Sequence, residues 1–438
     1  MVTVDIFNMS EDVWEFIQAI TDKDRRNKEI RENACLGDRE IWNCPAEGET
    51  IMILAKTLSD NFLKYFEEVF GRKVRVWVPE EKSGIICEDI FEDKQIFNKL
   101  VGLSEIRLVS YCTSVPFINL VSKLREQGVV VKTPEAPEGK DIGVINKYGT
   151  KSGIRKTGVV VAPGWIFEGV EEAIFKAAEV YRRNNGVVIK TNKGHAGMGV
   201  EIFRAGDLPT GAGETEEAIR KLFSGDEYWR KFPIVVEQYV ELDIKVGGGS
   251  PNVEIRVEED GGVNFLYPCG MRVNKQGEFE GVETGPEIIN DEVVRRMKDL
   301  GTKLGKIYSR EGYRGYFEVD FVAGKDGSLY VTESNIRRTG GTHVYNLGVG
   351  LFGEGFVNRM SAKSSNWYKL PEKITFEEMR NKIRGVEFDK KKKEGVIIIN
   401  ENTLSLGRLG YVIFGKNKKR TGEIEEKLFK AVIQSSDV

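Results

Sequence analysis

The chain has 438 residues, enough for about three domains at roughly 150 residues each. Hydrophobic residues make up 40% and charged residues 30%, and 65 Lys and Arg nearly balance 68 Asp and Glu for a net charge of -3. That is a soluble globular composition, which excludes a disordered chain and offers no basic face for nucleic acid or membrane.

With two histidines and five scattered cysteines lacking CxxC spacing, a His-rich metal centre, a zinc site and a disulfide framework are excluded. Neither histidine has a GxSxG partner, so carboxylates, lysines and arginines must carry any chemistry. The stretch MVTVDIFNMSEDVWEF has no basic n-region and no apolar h-region, and no run approaches the ~18 apolar residues of a spanning helix. A reduced, cytoplasmic setting is expected.

Residues 10–33 read as helical, with Ser10 as N-cap and Glu11 and Asp12 in the first turn. From residue 50, short apolar strands alternate with helical stretches: IMILA (51–55), NFLKYFEEVFG, VRVWV (74–78), IRLVSY (106–111), NLVSKLREQG and VVVKT. The alternation predicts a parallel α/β unit closing near residue 135, with PEAPEGKD (134–141) as the linker. A helix then follows PGWIFEGV, with Val170, Ile174, Ala177 and Tyr181 on one face and a C-cap at Asn184-Asn185-Gly186. Residues 187 to about 350 are rich in strands and turns. A third region, 351–438, holds the strand-like VIIIN (396–400) and a terminal helix near 424–433, and its DKKKKEG run reads as a solvated turn.

Within VVIKTNKGHAGMGVEIFRA (187–205), Lys190 ends a buried-type strand and leads into Gly194, Gly197 and Gly199. Neither GK[ST] nor a following helix is present, so this is not a Walker or Rossmann loop. It joins two strands, as a plain Gly-rich hairpin or as a flap closing over a triphosphate with the lysine as a point charge. Taken alone, VVEQYVE (235–241) is a short edge strand broken by Glu237 and Gln238, and beside a phosphate loop it would also suit the wall of an adenine slot.

GYFEVDFVAGKDGSLYVTESN (315–335) is the most informative segment. Asp326-Gly327 suits a two-residue hairpin turn. That turn sets Asp320 opposite Glu333 and Glu318 opposite Asn335, with Phe317, Val319, Phe321, Tyr330 and Thr332 on the core face. Directly opposed carboxylates repel, and a cation relieves the repulsion; otherwise they face water. Carboxylates plus an amide oxygen select a hard ion such as Mg²⁺ bridged to phosphates.

These pieces, in this order, resemble the ATP-grasp ligases: Asn146-Lys147 before Gly158 and VVVAPGW, then VVIK with its glycine loop, VVEQYVE, and EVDFV…YVTESNIR. NIRRTGGTH and GVIIINENTLSLGRLGYVIFG are similar to the pheganomycin-type peptide ligase branch, and a butirosin-type ligase that loads glutamate onto an acyl carrier protein is a second relative. The resemblance implies an α/β chain with an ATP-grasp fold, two α+β subdomains clasping ATP (142–350, flap about 187–205). A pre-ATP-grasp α/β domain (1–141) would precede it and a C-terminal region (351–438) would complete the ligase.

It also implies site roles. Lys147 and Lys190 would contact phosphates under Gly194, Gly197 and Gly199, while Glu237, Gln238 and Val240 would hold adenine. Asp320, Glu333 and Asn335 would bind Mg²⁺, and Arg337, with Lys190, would be catalytic. Arg338, Thr339, Gly340, Gly341 and His343 would lie nearest the substrate, His343 as a base or as a structural histidine. The ribose contact falls in the lengthened IKVGGGSPNVEIRV (244–257), with Glu254 the candidate. Arg256 and Arg272 are further candidates for phosphate or carboxylate, and Cys112 and Cys269 read as buried thiols.

The implied reaction is ATP-dependent activation of an amino-acid or peptide carboxylate as an acyl phosphate, followed by capture by an amine. A carboxylate–thiol ligase charging an acyl carrier protein is the alternative, docking at Lys390–Lys393 or Lys416–Arg420, and a non-catalytic ATP-binding protein is a third reading. The sequence sets no oligomeric state, a homodimer being one option.

Overall fold

The computed structural model describes residues 1–433 except 46, 81, 136–139, 185, 196 and 274–278. The linker PEAPEGKD and the cap at Asn185 therefore lie largely outside the described residues.

The first layer is a parallel sheet of β1 (Val2–Ile6), β2 (Thr50–Ile53), β3 (Arg75–Trp77), β4 (Glu105–Ser110) and β5 (Val130–Lys132), in the order β3-β2-β1-β4-β5. The α/β alternation predicts four of these strands; β1, formed by VTVDI, is the central one and went unread. Its buried Val4 and Ile6 and the buried residues of β2 and β4 make one core with the helices on the sheet faces. Ser59 and Ser114 cap helices Asp60–Phe70 and Val115–Glu126 by accepting from Phe62 N and Phe117 N at 3.1 Å.

Between β1 and β2 the chain makes a long helical insert, Met9–Asp12, Trp14–Gln18, Lys23–Cys35 and the 3-10 segment Leu36–Asn43. The predicted helix over 10–33 is thus real but broken twice. Asn8 rather than Ser10 stands at the first cap position, and Asn8 exchanges two hydrogen bonds with the Cys112 backbone (2.9 and 3.1 Å), tying the end of β1 to the end of β4.

The second sheet has β6 (Gly164–Phe167), β7 (Gly186–His195), β8 (Met198–Arg204) and β9 (Ile234–Gln238), ordered β6-β9-β7-β8. VVEQYVE is therefore interior, because PGWIF supplies the edge strand β6 beside it. Helix Val170–Asn184 buries Ala173, Ile174, Ala177, Ala178 and Tyr181 on this sheet, as its periodicity predicts. The insert joins this core: Phe16, Ala19 and Ile20 are buried in it, and Phe16 stacks on Tyr228 with ring centroids 4.5 Å apart.

The third sheet has eight antiparallel strands: β10 (Pro251–Val257), β11 (Val263–Val273), β12 (Phe279–Thr284), β13 (Gly315–Ala323), β14 (Leu329–Asn335), β15 (Ser361–Lys369), β16 (Gly395–Ile398) and β17 (Arg408–Gly415). Their order is β14-β13-β10-β11-β12-β15-β17-β16, so the sheet runs on through the boundary expected at 350, which falls inside helix Thr342–Phe352. Lys390–Lys393 form an exposed turn as expected, and the terminal helix starts earlier, at Lys418. Among the described residues no helix is long and apolar enough to cross a membrane.

Because Phe16 anchors the insert inside the second sheet's core, Phe16→Ala should cost about 3–5 kcal/mol of stability. Denaturant unfolding measures the loss, and limited proteolysis should show new cleavage within residues 9–35.

Candidate active site

Hairpin β13–β14 carries the acidic centre. Asp320 faces Glu333, and Glu318 faces Asn335, as the sequence predicts. The route differs. The turn is longer than Asp326-Gly327: Gly324 and Ser328 close it with Gly324 N donating to Ser328 O (2.9 Å), and Asp326 Oδ1 accepts from Ser328 N (3.0 Å). That turn pairs Phe321 with Val331, and a bulge between Phe321 and Asp320 restores the expected pairing beyond it. Val331 and Leu329, not Tyr330 and Thr332, consequently face the core with Phe317, Val319 and Phe321.

Register with β10 places Asn252 opposite Asp320 and Glu254 opposite Glu318, adding a fourth carboxyl group. Asp320 is 5% exposed; Oδ2 accepts from Asn335 Nδ2 at 3.0 Å and Oδ1 has no partner. Burial, then Glu318 and Glu333, push the Asp320 carboxyl well above the usual carboxylate range. Glu333 goes the other way: burial works to raise it, but Lys151 and Lys190 hold it below an ordinary glutamate. Lys151, 8% exposed at its side chain, brings Nζ to 3.4 Å from Glu333.

Lys151 is the lysine that sequence reasoning missed. Lys147, one helical turn earlier, is half-exposed and pairs with Glu311 at 2.7 Å, apart from this cluster. A Cβ on Gly194 would lie 2.7 Å from the backbone oxygen of Met198, so the flap hairpin keeps glycine there, and it would lie 3.0 Å from Lys151 Nζ, which the flap passes closely. At Gly199, with φ +77°, a Cβ would collide with Thr191 Oγ1; Gly197, φ +93°, sits in the β7–β8 turn.

Lys190 ends the regular part of β7 and reaches Glu237 at 2.6 Å, where Arg155 also arrives at 2.5 Å. Burial would raise Glu237, and the two cations outweigh it and lower its pKa. Glu237 thus neutralises Lys190 rather than presenting a carboxylate to adenine. Gln238 N is taken by Pro163 O at 2.9 Å, and Gln238 ends β9 opposite Val187, at the start of β7.

After β14 the two arginines diverge. Arg337 donates from Nε to Asp12 (2.7 Å) and from Nη2 to Asn335 Oδ1 (3.1 Å), and lies over the Tyr111 ring at 5.7 Å. Arg338 is buried in the N-terminal layer, on Asp5 (2.8 and 3.0 Å), Glu40 and Glu135. Its guanidinium is spent on clamping layers together, not open to a substrate. Thr339 donates to Glu318 at 2.8 Å, Gly340 O accepts from Asn366 Nδ2 at 3.1 Å, and Gly341 N donates to Thr339 Oγ1 at 3.2 Å. His343 is 1% exposed with neither ring nitrogen partnered, and burial lowers its pKa, so it is a neutral imidazole.

Glu254 is fully buried and bonded by Thr342; burial, then Glu318, raise it to about 8, so it is no exposed ribose ligand. Arg256 pairs with Glu135 and Glu258 at 3.5 Å, and Arg272 with Glu425 at 2.8 Å, away from the lysines. Cys112 and Cys269 are buried thiols with pKa values pushed well up by burial.

The flap is covered by the insert: Lys193 pairs with Glu15 (2.8 Å), and His195 Nε2 lies 3.3 Å from Asn33 Oδ1. Two opposed carboxylates, one with an orphan oxygen, fit a hard divalent cation. Among the described residues no three Asp, Glu, His or Cys groups form a closed cage, so such an ion would keep positions for water and phosphate oxygens.

Solved structures share this architecture. A biotin carboxylase from Campylobacter jejuni, in complex with β,γ-ATP, aligns over 99% of this chain and 92% of its own, with a TM-score of 0.59 and 13% identity. N5-carboxyaminoimidazole ribonucleotide synthetase in its ADP complex aligns over 99% and 98%, at 0.55 and 13%. The chain has the ATP-grasp fold. No family model matches it. Among curated proteins, an L-propargylglycine–L-glutamate ligase of Streptantibioticus cattleyicolor is 28% identical over 248 residues, 51% of this chain. The match spans about half (47%) of that ligase. In ATP-grasp terms the second sheet with the β7–β8 flap and the third sheet with β13–β14 are the two jaws, and the acidic centre lies between them.

Glu254, held near 8 against 4.5 for an ordinary glutamate, keeps in the folded state a proton that the unfolded state releases. Stability therefore falls as pH rises from about 4.5 to about 8. Glu254→Gln should match the parent in thermal unfolding at pH 4.5 and exceed it at pH 8.5; an identical pH profile would remove the assignment.

Proposed function

We propose that the chain is an ATP- and Mg²⁺-dependent ligase that activates an amino-acid or peptide carboxylate as an acyl phosphate and joins it to an amine, releasing ADP. The observation that carries this reading is the Asp320–Glu333 pair, its aspartate buried and its glutamate partly exposed, bracketed by Lys151, Lys190 and Arg337 beneath a glycine flap. ATP- and ADP-bound relatives of the same fold support the nucleotide, and a relative named as a ligase of two amino acids supports the amine.

Asp320 and Glu333, with Asn335, would hold the cation, which supplies charge neutralisation on the phosphates. Lys151 and Lys190 stand on the phosphate side of the cleft as ammonium charges. Glu237 holds Lys190 in place, and Asp12 does the same for Arg337. Arg337, one step from Asn335, is placed to spread the charge of the transferring phosphoryl group. No side-chain nucleophile is required. The flap and the insert above it exclude water from an acyl phosphate that would otherwise hydrolyse.

An amine is favoured over a carrier-protein thiol by the position of the basic surface. Lys390–Lys393 and Lys416–Arg420 border β16 and β17, at the opposite edge of the eight-stranded sheet from β13 and β14. Five to seven strand spacings of ~4.8 Å put them roughly 25–35 Å away.

Incubation with Mg²⁺·ATP and a panel of amino acids, with and without amines, tests the reading. ADP release should require one carboxylate, and mass spectrometry should find an amide. In single turnover, Lys190→Ala and Arg337→Ala should each slow the chemical step by about 10²-fold or more. Unchanged rates in both would refute their roles, and a thioester on an added carrier protein would move the reading to the thiol ligase.

A further inference from the structure

Arg39, on the 3-10 segment of the insert, is one of two arginines buried to this degree among the described residues; the other is Arg338. Arg338 has three carboxylates. Arg39, 3% exposed, has none within salt-bridge distance among the described residues. Its Nη2 meets Met9 Sδ and Tyr111 Oη, both at 3.5 Å, its guanidinium lies over the Phe7 and Tyr111 rings at 5.8 and 5.9 Å, and its buried Nε has no partner. The adjacent Glu40 turns to Arg338, and Asp12 is taken by Arg337. A guanidinium has five N–H donors, and burying one uncompensated is costly.

The placement matters as much as the vacancy at Nε. Tyr111 lies beneath both Arg39 (5.9 Å) and Arg337 (5.7 Å), so the two guanidiniums are no more than about 12 Å apart. One amino-acid-sized molecule spans that distance. His343, with both ring nitrogens unpartnered, feels the Arg39 charge, as does His195 at the flap. Arg337 and Asp12 are partly exposed, their side chains at 18% and 27%.

We infer that Arg39 anchors a substrate carboxylate other than the one being activated, gripping its two oxygens while the reacting carboxylate lies at Arg337. A planar carboxylate satisfies the unpaired donor edge with paired N–H···O bonds, which a lysine in the same place would not supply. The inference rests on the ligase reading above. The carboxylate belongs to the donor or to the acceptor, and the test separates them.

The full-length protein is compared with Arg39→Met and Arg39→Lys. In ligand-free thermal unfolding Arg39→Met should hold or raise the midpoint, since it removes an uncompensated buried charge; a marked fall would make Arg39 a structural ion and overturn the proposal. Calorimetric titration then uses the twenty L-amino acids and their α-carboxamides as probes, with and without Mg²⁺·ADP.

The parent should prefer at least one acid over its carboxamide. Arg39→Met should weaken that acid at least tenfold and leave the carboxamide unchanged, with Arg39→Lys between. No preference in the parent, equal weakening of acid and carboxamide, or equal protection by inorganic phosphate would each overturn it. If the preferred acid alone triggers ADP release, the anchored carboxylate is the donor's; if it enters only the product, it is the acceptor's. Arg39-dependent binding without any carboxylate-dependent ADP release would leave the anchor standing and remove the ligase reading.

Discussion

Two carboxylates face each other across the β13–β14 hairpin: Asp320, buried beside Glu318 and Glu254, and Glu333, partly exposed beside Lys151. Backbone register sets the two residues opposite each other, and the Glu333 side chain meets Lys151 at 3.4 Å. Burial and like charge drive the Asp320 carboxyl toward its neutral form, while Lys151 and Lys190 keep Glu333 ionised. The hairpin is thus short of positive charge on one side and supplied with it on the other. The flap lysine, its Glu237 counter-ion and Lys151 beside Gly194 are all arranged about that imbalance.

The same strand end binds the layers together. Consecutive residues Arg337 and Arg338 leave β14 in different directions, one to Asp12 beside the cleft and the other to Asp5, Glu40 and Glu135 in the N-terminal layer. The insert between β1 and β2 then reaches across to the second sheet, where Phe16 is buried and Glu15 and Asn33 touch the flap. In this ATP-grasp fold the N-terminal layer therefore packs beside the flap and Arg337, and the insert buries Arg39 next to Tyr111.

Much of this was legible in residue pattern. Alternation gave the parallel layer and the flap strands, and the pairing of Asp320 with Glu333 came out correctly, although by two errors that cancel: a longer turn and a bulge. No local signal marks that bulge, since it is fixed by packing of Val331 into the core. β1 was missed because its residues stand before any alternation can be seen.

Charge pairs were the least legible. Whether Glu237 meets adenine or Lys190, Arg338 a substrate or Asp5, and Lys147 or Lys151 the acidic centre depends on contacts between distant segments. The spacing GTKSG, with small residues around a lysine just past a helix end, is the one sequence cue that could have raised Lys151.

The central claim is that the opposed Asp320–Glu333 pair is a cation seat completed by nucleotide phosphates. Calorimetric titration of Mg²⁺ into the ADP-saturated protein tests it most directly, with Asp320→Asn as the comparison. Saturable binding in the parent, weakened at least tenfold in a variant that remains folded, is the expected result. Equal Mg²⁺ affinity in the two proteins would contradict the account.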